Sequence, residues 1–219
     1  MCYSPEVSLR SFIIANIGCV FLWHVQPVLA LFFAFVSLMQ LYDFIFWKNQ
    51  SKNIINAVFT KVAMITNHLQ PIIFALLIMK LGNQQIKPLS KWLTIVYTLV
   101  AIVYTILYWN WSDYTLVTPT SRGSLHWKWN NVNNILLEQL VYGLFLATLL
   151  VLAYQHFETP LNYFVMFLFA ASFFMSLRKY DMTGNTGRFW CNYASYLPVI
   201  TLVIVYVTRY VKQKLATHK

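Results

Sequence analysis

Apolar residues fill this chain from end to end in runs close to the roughly 20 residues that a helix needs to cross a bilayer. This pattern constrains the fold more than any motif does. Of the residues, 59% are hydrophobic and only 10% are charged, whereas a soluble domain carries roughly 25% charged residues. The sequence therefore predicts an integral membrane protein whose main partner is the lipid bilayer.

The runs predict an all-α fold, an integral membrane bundle of seven transmembrane helices in one polytopic domain that covers residues 1–219. No polar stretch between them reaches the roughly 50 residues that a separate domain needs. The predicted spans are Val7–Trp23, Leu29–Trp47, Ile54–Met79, Trp92–Trp109, Ile135–Tyr154, Leu161–Leu177 and Phe189–Val211. Aromatic residues typical of the membrane interface stand near their ends: Trp23, Trp47, Trp92, Trp109 and Tyr210.

The third predicted span has one polar face. At 100° per residue, its polar side chains fall within an arc of roughly 140°: Asn53, Asn56, Thr60, Lys61, Asn67 and His68. Apolar side chains occupy the opposite face: Ile54, Ile55, Val58, Phe59, Val62 and Ile65. Since unpaired polar groups are costly in lipid, we expect the polar face to point into the bundle.

The polar face predicts a binding layer inside the membrane. Lys61 lies well inside the span, where an isolated lysine costs roughly 3 kcal/mol, so we expect it to have an acidic partner. Asp43 near the end of the second span and Glu138 near the start of the fifth would lie on the same side of the bilayer. His68 lies two turns from Lys61 on the same face, and Gln70 lies at its edge. We therefore expect Asp43, Lys61, His68, Gln70 and Glu138 to form a substrate-binding layer.

The stretch "NHLQP" places Pro71 inside the third span. Proline removes the helix hydrogen bond to the carbonyl of Asn67 four residues earlier, so we expect a hinge at Pro71. The pattern His-x-Gln-Pro followed by an apolar run also begins at His24. The two copies predict two related positions where helices begin or kink, although so short a match also arises by chance.

The predicted layer favours a small solute or ion transporter or carrier, since such proteins build midplane sites from polar groups beside broken helices. One alternative is a receptor-like or structural membrane protein that does not transport, in which the polar groups only hold helices together. A membrane-embedded enzyme is the third possibility, although no nucleophile arrangement, H-E-x-x-H or G-x-S-x-G is present.

No cofactor, metal or catalytic residue is predicted. The three cysteines, Cys2, Cys19 and Cys191, have neither metal-ligand nor redox spacing. The net charge of +10 suits anionic lipid headgroups rather than nucleic acid, because the chain holds no soluble basic module. The sequence indicates no particular oligomeric state.

Orientation is predicted from the C-terminal tail. Lysine and arginine are divided almost equally between the two sets of loops, so their count does not orient the chain. The tail "TRYVKQKLATHK" is the densest basic run, and we expect the C-terminus to be cytoplasmic. Seven spans then place the N-terminus outside, together with the Asn-x-Ser sequons at Asn49 and Asn110. Nothing in the sequence specifies which membrane holds the protein.

Two further sequence features lie near the fifth and seventh predicted spans. The segment "SLHWKWN" precedes the fifth span, and its His126, Trp127 and Trp129 are expected to anchor at headgroup depth. Pro198 lies inside the seventh predicted span, where it predicts a kink.

The N-terminal "MCYSPEVS" resembles the start of a poorly characterised family of multipass membrane proteins found in large DNA viruses and algae. The patches "MQLYDFIFW", "QPI" and "FWCNY" are similar to recurring patches of that family, and the likeness covers nearly the whole chain. The resemblance implies a multipass membrane protein, and it implies no activity.

Overall fold

A computed structural model describes residues 4–110, 113–117, 125–127, 129, 135–178 and 195–217. These residues form seven α-helices and one short antiparallel ribbon. The helices are α1 Pro5–Trp23, α2 Pro27–Lys48, α3 Ile54–Lys80, α4 Pro88–Tyr108, α5 Ile135–His156, α6 Leu161–Arg178 and α7 Leu197–Thr217. The ribbon pairs β1 Leu116–Val117 with β2 Leu125–His126. The predicted all-α class is confirmed.

Five of the described helices, α1 to α5, are long and apolar enough to cross a membrane. In α6 and α7 the apolar stretches are shorter, Leu161–Ala171 and Leu197–Tyr210. The chain is therefore compatible with a membrane protein, and the count of seven spans stays a prediction. Outward-facing apolar residues on α4, such as Leu99 and Ile106 at 60% and 69% exposure, suit a lipid environment, since a soluble monomer rarely shows such a surface.

Prolines mark several helix starts. Pro5, Pro27 and Pro88 each stand in the first turn of α1, α2 and α4, where the missing N–H is not needed and the fixed φ suits a helix. Pro198 is the second residue of α7, so the kink predicted there is wrong. Helix α7 begins at Leu197, after a turn at Ser195 and Tyr196. Residues 189–194 of the predicted seventh span lie outside the described residues.

Pro71 differs from these prolines because it lies inside α3, which continues as one helix from Ile54 to Lys80. The two His-x-Gln-Pro copies therefore have different structural roles. In the first, His24 and Gln26 flank the junction of two helices and Pro27 starts α2. In the second, the whole pattern is helical.

The most extensive helix interfaces join α1 to α2, α2 to α3, α5 to α6 and α4 to α5, and α7 packs on α1. Helices α1 to α6 run antiparallel to their neighbours in sequence, so the bundle has two distinct ends. We call the end with the α2–α3 and α4–α5 connections the capped end. The opposite end, with the α1–α2, α3–α4 and α5–α6 connections, is the cavity end.

Candidate functional site

Four residues of the predicted polar face of α3 are buried, whereas Asn53 and Lys61 are half-buried. Asn56 and Thr60 are fully buried, and Asn67 and His68 are 6% and 3% exposed. On the opposite face, the side chains are exposed: Ile54, Ile55, Val58, Val62 and Ile65. Asn53 has a separate role, since its side chain accepts a hydrogen bond from the N–H of Asn56 at 2.9 Å and caps the helix.

The centre of this face is the α3 polar segment, which we define as Asn67, His68 and Gln70. Asn67 Nδ2 donates to the hydroxyl of Tyr142 on α5 at 3.5 Å. Gln70 is fully buried, and neither atom of its side-chain amide has a hydrogen-bond partner among the described residues. A buried polar group without a partner costs about 1–3 kcal/mol. The burial of the Gln70 amide therefore lowers the stability of the fold.

His68 lies among tyrosines of two neighbouring helices. Its ring centroid is 5.2 Å from that of Tyr104 on α4 and 6.1 Å from that of Tyr142. Both ring nitrogens lack a hydrogen-bond partner in the described part of the chain. The backbone carbonyl of His68 accepts a hydrogen bond from the Tyr97 hydroxyl at 2.8 Å. This interhelical bond joins α3 to α4 three residues before Pro71, next to the Asn67 carbonyl that loses its helix hydrogen bond to the proline.

The predicted acidic residues are also inside the bundle. Asp43 of α2 is fully buried, and Glu138 of α5 is 8% exposed. The hydroxyl of Tyr42, the residue before Asp43, is 3.2 Å from Thr66 Oγ1 on α3. Thr66 lies one turn before Gln70, so this part of α2 is close to the α3 polar segment. Glu138 lies near Tyr104, the tyrosine whose ring contacts that of His68.

Lys61 does not join this group. Its Nζ lies 4.8 Å from the ring centroid of Trp109, at the end of α4, and it forms no ion pair with Asp43 or Glu138. The expected partnership is therefore wrong. The physical reason is that the long lysine stem carries the charge towards the capped end, where the aromatic face of Trp109 stabilises the ammonium group.

The capped end is closed by residues of the α4–α5 connection, which we call the cap: Thr115, Leu125, Trp127 and Trp129. All four are buried, and the two indole rings stack at 4.9 Å with an interplanar angle of 25°. The Tyr104 hydroxyl donates to the backbone carbonyl of Trp129. The interfacial anchoring predicted for Trp127 and Trp129 is therefore wrong, and the side chain of His126 lies outside the described residues.

Asn56 joins the cap to α3. Its Nδ2 donates to the Thr115 carbonyl at 2.9 Å, and its Oδ1 accepts from the Thr115 N–H at 2.9 Å. Thr60 Oγ1 donates to Thr115 Oγ1 at 3.0 Å. The polar face of α3 thus has two functions, since its first turns hold the cap and its middle forms the α3 polar segment.

An aromatic cluster lies between the α3 polar segment and the cavity end. Along one face of α3, Gln70 is followed by Phe74 and then by Ile78, all buried, at steps of four residues or about 6 Å. The ring of Phe74 stacks on that of Phe157 at 5.9 Å and 13°. The cluster consists of Phe32, Phe33, Phe74, Phe157 and Phe169.

A cavity of about 450 Å³ opens beyond this cluster, at the cavity end. We call it the end cavity. Ile78 and Phe157 form part of its wall, so it reaches the outer side of the aromatic cluster. Its polar lining comes from several elements: Gln26, Gln84, His156, Glu158, Thr208 and Arg209.

The end of α3 positions Gln84 in this cavity. Gly82 N–H donates to the Leu77 carbonyl at 3.0 Å, and Asn83 adopts a positive φ of 49°, which asparagine tolerates well. The turned chain brings Gln84 Oε1 to 3.2 Å from His156 Nδ1. The cavity was not predicted, because its polar residues are scattered over the sequence and the Gly-Asn pair indicates only a turn.

No family model matches this chain, and neither does a curated protein or a solved structure. The resemblance to multipass proteins of large DNA viruses and algae therefore stays a prediction. Among the described residues, no group of three or more His, Cys, Asp or Glu could hold a metal ion.

Proposed function

We propose that this protein is an integral membrane carrier for a small polar solute. The α3 polar segment supplies the central site, in which His68 and Gln70 hydrogen-bond the solute. Asp43 and Glu138 set the charge around it, and Pro71 acts as the hinge. Lys61 is left out, because it lies against Trp109.

The observation that carries this proposal is the missing hydrogen-bond partners of His68 and Gln70. Polar groups in the interior of a membrane bundle normally find partners in neighbouring helices. A solute would satisfy these groups, so its binding would recover the free energy that their burial costs.

The two ends of the bundle support the same proposal. The cap seals one end with hydrogen bonds and two stacked indoles. At the other end, the end cavity is bounded by Ile78 and Phe157, and Phe157 stacks on Phe74, which lies one turn from Gln70 on α3. A carrier works by alternating access, in which a central site is closed from one side and reached from the other. The aromatic cluster would then be the inner gate.

The alternative is a receptor-like or structural protein in which polar groups serve as helix glue. Interhelical bonds of this kind are present, such as Asn16 Nδ2 to Ser37 Oγ at 3.0 Å and Ser90 Oγ to Gln155 Oε1 at 2.6 Å. These pairs are satisfied, whereas Gln70 is not. The two functions therefore predict opposite effects of removing the Gln70 amide.

The test is Gln70→Leu in purified protein, compared with wild type and with Lys61→Met. Leucine keeps most of the volume and removes the unpartnered amide, so we expect the unliganded protein to be more stable by about 1–3 kcal/mol. A thermal-shift panel of carboxylates, phosphate esters, amino acids and sugars identifies the solute by its stabilisation of the folded form. That stabilisation should persist in Lys61→Met and be lost in Gln70→Leu.

Counterflow of the identified solute in proteoliposomes completes the test. We expect uptake by wild type and by Lys61→Met, and none by Gln70→Leu. A lower melting temperature of Gln70→Leu with no solute response in wild type would instead support helix glue.

A further inference from the structure

The end cavity has the properties of a ligand site in its own right. Its volume of about 450 Å³ falls within the roughly 300–1,000 Å³ of small-molecule sites. Its wall is shared by the α1–α2, α3–α4 and α5–α6 connections and by α7. A ligand there would contact four separate parts of the chain.

Two polar groups in its wall have unused hydrogen-bonding capacity. His156 is 6% exposed, and its Nε2 has no hydrogen-bond partner within the part of the chain that is described. One terminal nitrogen of Arg209 donates to the Val25 carbonyl at 3.3 Å, which holds the guanidinium at the cavity. A guanidinium has five N–H donors, so most of them remain for a ligand.

Local electrostatics at this end favours a negative charge. Four basic residues lie at the cavity end: Lys80, Lys87, Lys91 and Arg209. Among the described residues, Glu158 is the one acidic residue at this end. Glu158 already has an interaction partner. An excess of one sign in a cleft concentrates ligands of the opposite sign.

The first turn of α2 adds backbone donors. Pro27 and Val28 line the cavity, and the preceding Gln26 forms no side-chain hydrogen bond to cap the helix. The N–H groups of an uncapped first turn, together with the positive end of the helix dipole, attract anions.

We propose that the end cavity binds a phosphate group, with Arg209 as its counter-charge and His156 as a further hydrogen-bonding partner. A phosphate accepts several hydrogen bonds from different directions, and a guanidinium binds two of its oxygens in parallel. If the Gln84 amide presents its oxygen to His156 Nδ1, then Nδ1 carries the proton and Nε2 accepts from a P–O–H group. If the amide presents its NH₂ group, then Nε2 carries the proton and donates to a phosphate oxygen. The phosphate site itself does not depend on the carrier proposal. Only the role of the end cavity as the entrance of the solute path rests on the proposed function.

The experiment measures binding of inorganic phosphate to the purified full-length protein, with chloride at equal ionic strength as the reference. We expect Arg209→Gln to raise the Kd about tenfold or more, since hydrogen bonds to charged groups are worth about 1.5–3 kcal/mol. Arg209 is exposed, so we expect its replacement to leave folding intact. Lys91→Gln removes an equal charge from the same end outside the cavity and should change the Kd by less than about twofold, because salt screens distant exposed charges.

A second arm distinguishes a soluble phosphate from a lipid headgroup. Wild type and Arg209→Gln are compared in nanodiscs of phosphatidylcholine with and without phosphatidic acid. Arg209-dependent stabilisation by phosphatidic acid alone assigns the site to a lipid headgroup, and stabilisation by inorganic phosphate assigns it to a soluble ligand. Absence of both effects, or an equal loss in Lys91→Gln, overturns the inference. Binding without counterflow would instead count against the carrier and leave the phosphate site intact.

Discussion

Gln70 and His68 differ from the other buried polar residues of α3 in how their hydrogen bonds are satisfied. Asn56 and Thr60 are paired with the cap, and Asn67 reaches Tyr142. For Gln70 and for the His68 ring, no partner occurs in the described residues. The same helix face therefore contains residues that stabilise the fold and residues that lower its stability.

Among single residues, Asn56 is expected to stabilise the fold, so Asn56→Ala should destabilise the protein. The change removes both side-chain hydrogen bonds to the Thr115 backbone and leaves its N–H and carbonyl buried without a partner. Each such group costs about 1–3 kcal/mol. The measurement is the free energy of unfolding in detergent by denaturant titration.

Asn110→Ala is the matched control for this prediction. Asn110 is exposed at the same end of the bundle, and surface substitutions usually change stability by less than about 0.5 kcal/mol. Equal losses in the two variants would show that Asn56 does not hold the cap in place.

Helix packing depends on glycine where α1 meets α7. A Cβ at Gly18 would lie 2.9 Å from Val199 Cγ2 and 3.2 Å from Val199 N, whereas one at Gly143 on α5 would meet nothing within 4 Å. Small residues allow helices to approach closely in membrane bundles. The first turn of α7 can thus lie this close to α1 because Gly18 has no side chain.

Gly18→Ala should separate these two helices and destabilise the protein by about 1–3 kcal/mol, as overpacking does elsewhere. Gly143→Ala should be neutral or stabilise by up to about 1 kcal/mol, because alanine is the better helix former. Thermal unfolding of the two variants checks the pair. A stability for Gly18→Ala equal to or above that of wild type would mean that α7 does not pack this closely on α1.

The whole molecule has two unlike ends. One is sealed by buried side chains of the α4–α5 connection, and the other opens into a cavity bordered by Arg209 and His156. This asymmetry is the structural basis of the proposed carrier. The orientation of the chain in the membrane can be tested at two residues, because Gln84 is exposed at the cavity end and Asn110 at the capped end.

Single-cysteine variants test this arrangement in intact cells. In a background without the native cysteines, Gln84→Cys and Asn110→Cys should react with a membrane-impermeant maleimide from opposite sides. If the basic C-terminus is cytoplasmic, as we expect, Asn110→Cys reacts before lysis and Gln84→Cys only afterwards. Reaction of both variants before lysis would contradict the placement of the two ends across a membrane.

Sequence periodicity alone was enough to predict the helical class and the buried part of the polar face of α3. Burial of apolar and polar side chains within one helix follows a local pattern of 3.6 residues per turn, so a single sequence carries it. The burial of Asp43, His68, Gln70 and Glu138 followed from the same reasoning, since polar side chains avoid lipid.

Only the tertiary structure decided which distant residues meet. Lys61 contacts Trp109 rather than Asp43, Asn56 pairs with Thr115, and the end cavity brings Arg209 near Val25. These contacts join positions separated by 48 or more residues, with separations of 59 for Asn56–Thr115 and 184 for Arg209–Val25. Helix periodicity specifies a face and not its partner, so the cap and the end cavity became visible only when the helices were packed together.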